Sequence, residues 1–168
     1  NPARQAAVSA SIPISKPAYL VNQVCGSGLR AVISGYQSIK LGEIKKVITG
    51  GQENMSMAPH SILSRYGKKI SKDALVDTMI YDGLIDAFNN YHMGVTAENI
   101  AEKFNITREE QDMFALNSQK KTQIALNKNR FNEEIIFINH NENIIKKDEH
   151  PRVKLNISDL ENLKTVFK

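Results

Sequence analysis

A chain of 168 residues, 41% hydrophobic and 24% charged, has the make-up of a soluble globular protein, either one domain or a piece of a larger one. No run of about 18 apolar residues offers a membrane span, and NPARQAAVSASIP at the start lacks the basic-then-apolar pattern of a signal peptide. The net charge of +4 reads as a solvated, Lys-rich surface; without a P-loop, a zinc-ligand spacing or an RNA-binding aromatic motif it makes no case for nucleic acid or a metal.

In chain order, AYLVNQVC is apolar and β-branched and ends at Cys25, which predicts a buried strand over 18–25. Past the Gly26-Ser27-Gly28 turn, Leu29, Val32, Ile33, Tyr36 and Ile39 recur at helical spacing, with Gly42 placed to stop the helix. KKVITGG predicts a second buried strand, so the order strand, helix, strand implies a right-handed crossover with parallel strands. From NMSMAPH onward Gly, Pro, Ser and Asn punctuate the chain, predicting loops with a short helix near Leu75–Asn89. A helix opened by Thr96 follows. A longer one comes next, with Thr107 and Glu110 as a capping box and Phe114 and Leu116 through Leu126 as its buried stripe. EEIIFINH predicts a short strand, and the tail is polar until ISDLENLKTVF. The change of character near 55–59 suggests two domains, 1–57 and 58–168.

Cys25 is the chain's single cysteine, which fits a reducing, cytoplasmic setting. It reads in two ways. As a small apolar residue it belongs in a core. At the start of a helix, free amides and the helix dipole favour its thiolate, the reactive form, and its own amide could donate to an oxyanion. Glycine beside it would allow a tight elbow and the approach of a carbonyl. None of His60, His92, His140 and His150 pairs with it by spacing.

NQVCGSGLRAV resembles the nucleophile motif of the thiolases. NPARQAA, GGQENMSMAPH, DTMIYDGLIDAF, YHMGVTAENIA, REEQDMFALNSQ and DEHPR resemble the same family in the same order, over nearly the whole chain. The resemblance implies an α/β, layered α-β-α thiolase-like fold, with 1–57 part of the nucleophile-bearing core and 58–168 the loop domain that covers the active site. It implies an acetyl-CoA C-acetyltransferase, active in both acetoacetyl-CoA synthesis and thiolysis, with Cys25 accepting the acyl group as a thioester. It further implies His92 and Met93 at the pantetheine and acyl end of the pocket, Leu84 against the pantetheine arm, and Arg152 near the CoA nucleotide. Coenzyme A or acetyl-CoA is then a substrate, with no permanently bound cofactor, and a homo-oligomer or a complementing chain is the expected assembly. Asp159 falls where some relatives carry a CoA-binding serine, and a carboxylate there would oppose phosphate.

The family's later motifs, with the histidine that activates the nucleophile and the second cysteine that deprotonates the acetyl group, have no counterpart in these residues. Two readings follow: a portion of a working thiolase, or a catalytically incomplete fragment acting as a CoA-binding or interaction module. Either way, the AYLVNQV and KVITGG segments are expected to leave apolar surface uncovered.

Overall fold

The computed structural model describes residues 1–65, 67, 75–141, 143–152 and 154–168. The chain divides into two compact units, 1–85 and 86–168.

In the first unit, helix α1 (Pro2–Ser9) starts where proline needs no N–H, and the Asn1 side chain accepts from the Arg4 amide at 3.1 Å. The Arg4 guanidinium ties down the following loop through the carbonyls of Ile14 and Lys16, at 2.7 and 2.5 Å. Helix α2 (Ser27–Lys40) ends as its sequence predicts: Gly42 takes φ +75, and the Gly42 and Glu43 amides return to the Ile39 and Ser38 carbonyls. The chain then doubles back along α2. A Cβ at the buried Gly35 would stand 2.9 Å from side-chain methyls of both Val47 and Thr49.

The predicted strands over 18–25 and 45–51 do not form; a single bridge between Gln23 and Cys25 is all the strand pairing there. A strand exists only through a hydrogen-bonded neighbour, and an apolar run without one stays irregular. Tyr19, Leu20, Val47 and Ile48 accordingly remain exposed. The crossover therefore survives as packing against α2 and not as a sheet. Strands β1 (His60–Ser61) and β2 (Val76–Asp77) pair antiparallel, His60 opposite Asp77. Of the loop expected between them, residues 66 and 68–74 lie outside the described residues. Helix α3 (Thr78–Gly83) is shorter than the helix expected near 75–89: the Asp77 carboxylate fixes its start, accepting from the Met79 and Ile80 amides, and the Leu84 and Ile85 amides both return to the Ile80 carbonyl at its end.

In the second unit, helix α4 (Met93–Phe104) begins earlier than Thr96: the His92 ring accepts from the Gly94 amide at 3.0 Å and serves as the cap. Helix α5 (Arg108–Asn127) has the predicted capping box, with Thr107 Oγ1 accepting from the Glu110 amide and the Glu110 carboxylate from the Thr107 amide. Its buried stripe is narrower than expected. Leu116 is 4% exposed, but Phe114 is 79% exposed and faces solvent. The strand expected over EEIIFINH forms only at its end, as β3 (Ile138–His140) antiparallel to β4 (Asn143–Ile145). Helix α6 (Ile157–Glu161), which the polar tail did not announce, is opened by an Asn156–Asp159 capping box and buries Leu160.

Candidate active site

Cys25 is exposed, so it is not the small core residue that its type favours. It sits on a tight elbow just before α2. Val24 lies at φ +50, a strained conformation for a β-branched residue. Local bonds over-determine it. The Val24 amide donates to Asn22 Oδ1 at 2.9 Å, and the Gly26 amide donates to the Gln23 carbonyl at 3.0 Å. The Ser27 hydroxyl accepts from the Gln23 amide at 2.8 Å and donates to the Val24 carbonyl at 2.7 Å. Glycine at 26 relieves crowding, since a Cβ would stand 3.3 Å from the Gln23 carbonyl oxygen, which would have to give by a few tenths of an ångström. Gly26 occupies the cap position of α2 with no side chain bonded to the first turn, leaving that turn to other anionic or carbonyl partners. An open thiol beside a helix start suits attack on an acyl carbonyl.

Leu84 ends α3 in the same unit, half-buried, its amide bonded to the Ile80 carbonyl at 2.9 Å. The second unit holds the other expected site residues. His92 and Met93 stand together at the start of α4, His92 half-buried and Met93 38% exposed. Arg152 lies apart from them in sequence, at a cleft of about 270 Å³ lined also by Gln119, Lys120, Gln123, Ile124 and Leu155. Its amide donates to the Gln119 side chain at 2.9 Å, and Gln123 Oε1 is buried without a hydrogen-bond partner among the described residues. Asp159 uses its carboxylate to accept from the Asn156 amide at 2.9 Å, a structural role in the α6 cap.

One residue of this site escaped the sequence reading. The Phe167 ring stacks on the His92 imidazole, centroids 5.0 Å apart and planes 28° from parallel. The same ring fills the space beside Gly94, where any Cβ would overlap it. Nothing local marks Phe167: it is one apolar residue in a short tail, and its partners lie at the start of α4.

The family model described as thiolase, N-terminal domain, matches residues 1–168. An acetyl-CoA acetyltransferase of Pseudomonas aeruginosa is 47% identical, and a probable acetyl-CoA acyltransferase of Staphylococcus aureus 45% identical; each match covers all of this chain and 44% of the relative. An acetyl-CoA acetyltransferase of Rhizobium meliloti is 55% identical over 81% of this chain and 35% of its own length. Among solved structures, the Bacillus anthracis acetyl-CoA acetyltransferase superposes with a TM-score of 0.91 at 35% identity, over all of this chain and 44% of that one. The backbone thus follows the α/β thiolase-like fold, and the chain spans less than half the length of these relatives. Since the family model matches from first residue to last, the chain belongs to the thiolase family, as its N-terminal domain.

Proposed function

We propose that this chain takes up the acyl group in an acetyl-CoA C-acetyltransferase reaction, with residues 1–57 carrying the nucleophile and 58–168 forming the loop domain over the acyl-CoA. The observation that carries the reading is the exposed Cys25 thiol on its braced elbow at the start of α2. The thiolate attacks the thioester carbonyl of acetyl-CoA, and an S–C bond to Cys25 forms. As the tetrahedral intermediate collapses, the bond to the CoA sulfur breaks, and CoA leaves as a thiolate that takes up the proton Cys25 gave away. The Cys25 amide donates to the oxyanion while the charge is on oxygen. A second acetyl-CoA, deprotonated at its methyl carbon, then attacks the acyl-cysteine. A C–C bond forms, the Cys25 S–C bond breaks to leave a thiolate that takes up a proton in place of the one lost from the methyl, and acetoacetyl-CoA is released; thiolysis is the reverse. No residue of this chain is assigned to the deprotonation.

His92, Met93 and Leu84 are proposed to line the pantetheine arm, with Phe167 added to His92 as one wall. Arg152 and its neighbour Lys120 place two cations at one cleft, which suits the phosphates of a CoA nucleotide. CoA is substrate here and not a resident cofactor, the compartment is cytoplasmic, and a homo-oligomer or a complementing chain completes the assembly.

Intact mass after incubation with acetyl-CoA tests the reading. A single acetyl adduct is expected, absent from Cys25→Ala. If no adduct forms while iodoacetamide still labels Cys25, acyl transfer by this chain is refuted and a CoA-binding module is what remains.

A further inference from the structure

Arg108 opens α5 one residue after its cap, an end of a helix where the dipole disfavours a cation. What the guanidinium reaches explains its placement. Its Nε donates to both carboxylate oxygens of Asp112 at 2.9 Å, and its Nη2 donates to the main-chain carbonyls of Leu160 at 2.7 Å and Leu163 at 3.1 Å. Leu160 stands in the last turn of α6, its carbonyl shared with the Leu163 amide at 2.9 Å, and Leu163 follows just past the helix; at that end of a helix a cation is favoured. A single side chain therefore joins the start of one helix to the end of another. Asp112 is only 8% exposed, and Leu116 and Leu160 are the most buried apolar side chains among the described residues. The clip is set into the small core of this unit.

Beyond Leu163 the chain runs to Phe167, on His92 and Gly94, and then to Lys168, whose ammonium meets Glu102 of α4 at 3.0 Å. The two polar anchors of this strap differ in quality. The Lys168–Glu102 pair is exposed on both sides and holds little. Arg108 makes a forked, part-buried contact with three groups that a lysine point charge cannot reproduce. We infer that Arg108 is a positioning residue for the His92–Phe167 wall: it fixes the end of α6 so that the Phe167 ring lies against His92. The positional claim stands on the geometry of residues 86–168; its consequence for acyl-CoA rests on the function proposed above.

Proton NMR of the full chain reads the wall directly, because a stacked phenyl ring displaces the imidazole Cε1–H resonance of His92. His92→Gln assigns that resonance, and Phe167→Leu gives its unstacked position. Arg108→Met is expected to move it most of the way to that position with helical ellipticity retained, Arg108→Lys part of the way, and Glu102→Gln hardly at all. A wild-type resonance position in Arg108→Met overturns the inference, as does a Glu102→Gln shift as large as that of Arg108→Met. If Arg108→Met loses its helices, Arg108→Lys carries the test, and a wild-type position there overturns it equally. A second readout is the acetyl-CoA concentration for half-maximal acylation of Cys25. It should rise about tenfold in Arg108→Met, with the iodoacetamide rate unchanged. A wild-type chain that never acylates refutes the proposed function, while the NMR result still judges Arg108.

Discussion

In residues 1–85 the long helix α2 turns Leu29, Val32 and Tyr36 to solvent, and its one buried residue is Gly35, pressed by Val47 and Thr49. In residues 86–168 the long helix α5 is polar along most of its length yet buries Asp112 and Leu116, and Arg108 clips it to α6. The helix richer in exposed apolar residues is thus the less well covered. The difference lies in where each helix finds its partner. A helix of a parallel α/β layer packs on a sheet, and without a ladder its apolar stripe has nothing to cover it. A helix joined to its neighbours by caps and one arginine finds partners nearby in its own unit. The unit that carries the candidate nucleophile is the one with the poorer cover.

The largest test of this contrast is a pair of truncations. Leu116→Ala removes a side chain that is 4% exposed and should destabilise residues 86–168 by about 3 kcal/mol. Leu29→Ala, at a position 68% exposed, should stay within about 0.5 kcal/mol. Amide hydrogen exchange, read separately over α5 and α2, measures both. Similar losses in the two helices would mean that α2 has cover of its own and would break the comparison.

A smaller effect probes the contact that α2 does have. Gly35→Ala brings a methyl to 2.9 Å from Val47 Cγ1 and Thr49 Cγ2, and β-branched side chains are too stiff to swing aside. Crowding of about 1–3 kcal/mol then outweighs the gain of about 1 kcal/mol in helix propensity. A net loss of about 1 kcal/mol is expected. Gly28→Ala, with nothing within 4 Å of the added methyl, should be neutral or stabilising. Thermal melts of the two variants decide it. A stabilised Gly35→Ala chain would show that the return of residues 47–49 along α2 does not hold that helix.

These contacts explain which features were legible in the sequence. The end of α2 at Gly42 and the start of α5 at Thr107 and Glu110 could be read because each is decided within a few residues. The elbow at Cys25 was legible for the same reason, as Val24 through Ser27 bond to one another. Residues 18–25 and 45–51 carry a strand's composition, but a strand is a property of a pair. The α4 start was misplaced because histidine is an unusual cap, and α6 was overlooked because it is short and its core contact comes from α5. Phe167 and Arg108 act across long stretches of chain, and no local pattern in one sequence reports such partners.

The smallest expected effect concerns the turn that opens the second unit. The Asp86 carboxylate accepts from the Asn89 amide at 3.0 Å, from the Asn89 side chain at 3.1 Å and from the Phe88 amide at 2.7 Å. These bonds, the Asn89 amide foremost, hold its pKa below the ordinary value of 3.8. A carboxyl whose folded pKa is depressed contributes stability above its unfolded pKa and loses it as pH falls through the folded one. Asp86→Ala should therefore lower the melting temperature of residues 86–168 slightly at pH 7. The gap from wild type should narrow as the pH falls from the ordinary value of 3.8 through the depressed folded pKa, where the wild-type carboxyl takes up its proton. The group is exposed, so the shift is small beside that of Leu116→Ala, and its pH dependence identifies it better than its size. A gap that stays constant from pH 7 to pH 2 would mean that the turn is held by its backbone, through the Asn90 and Asp86 amides to the Asp86 and Tyr91 carbonyls, and not by the charge.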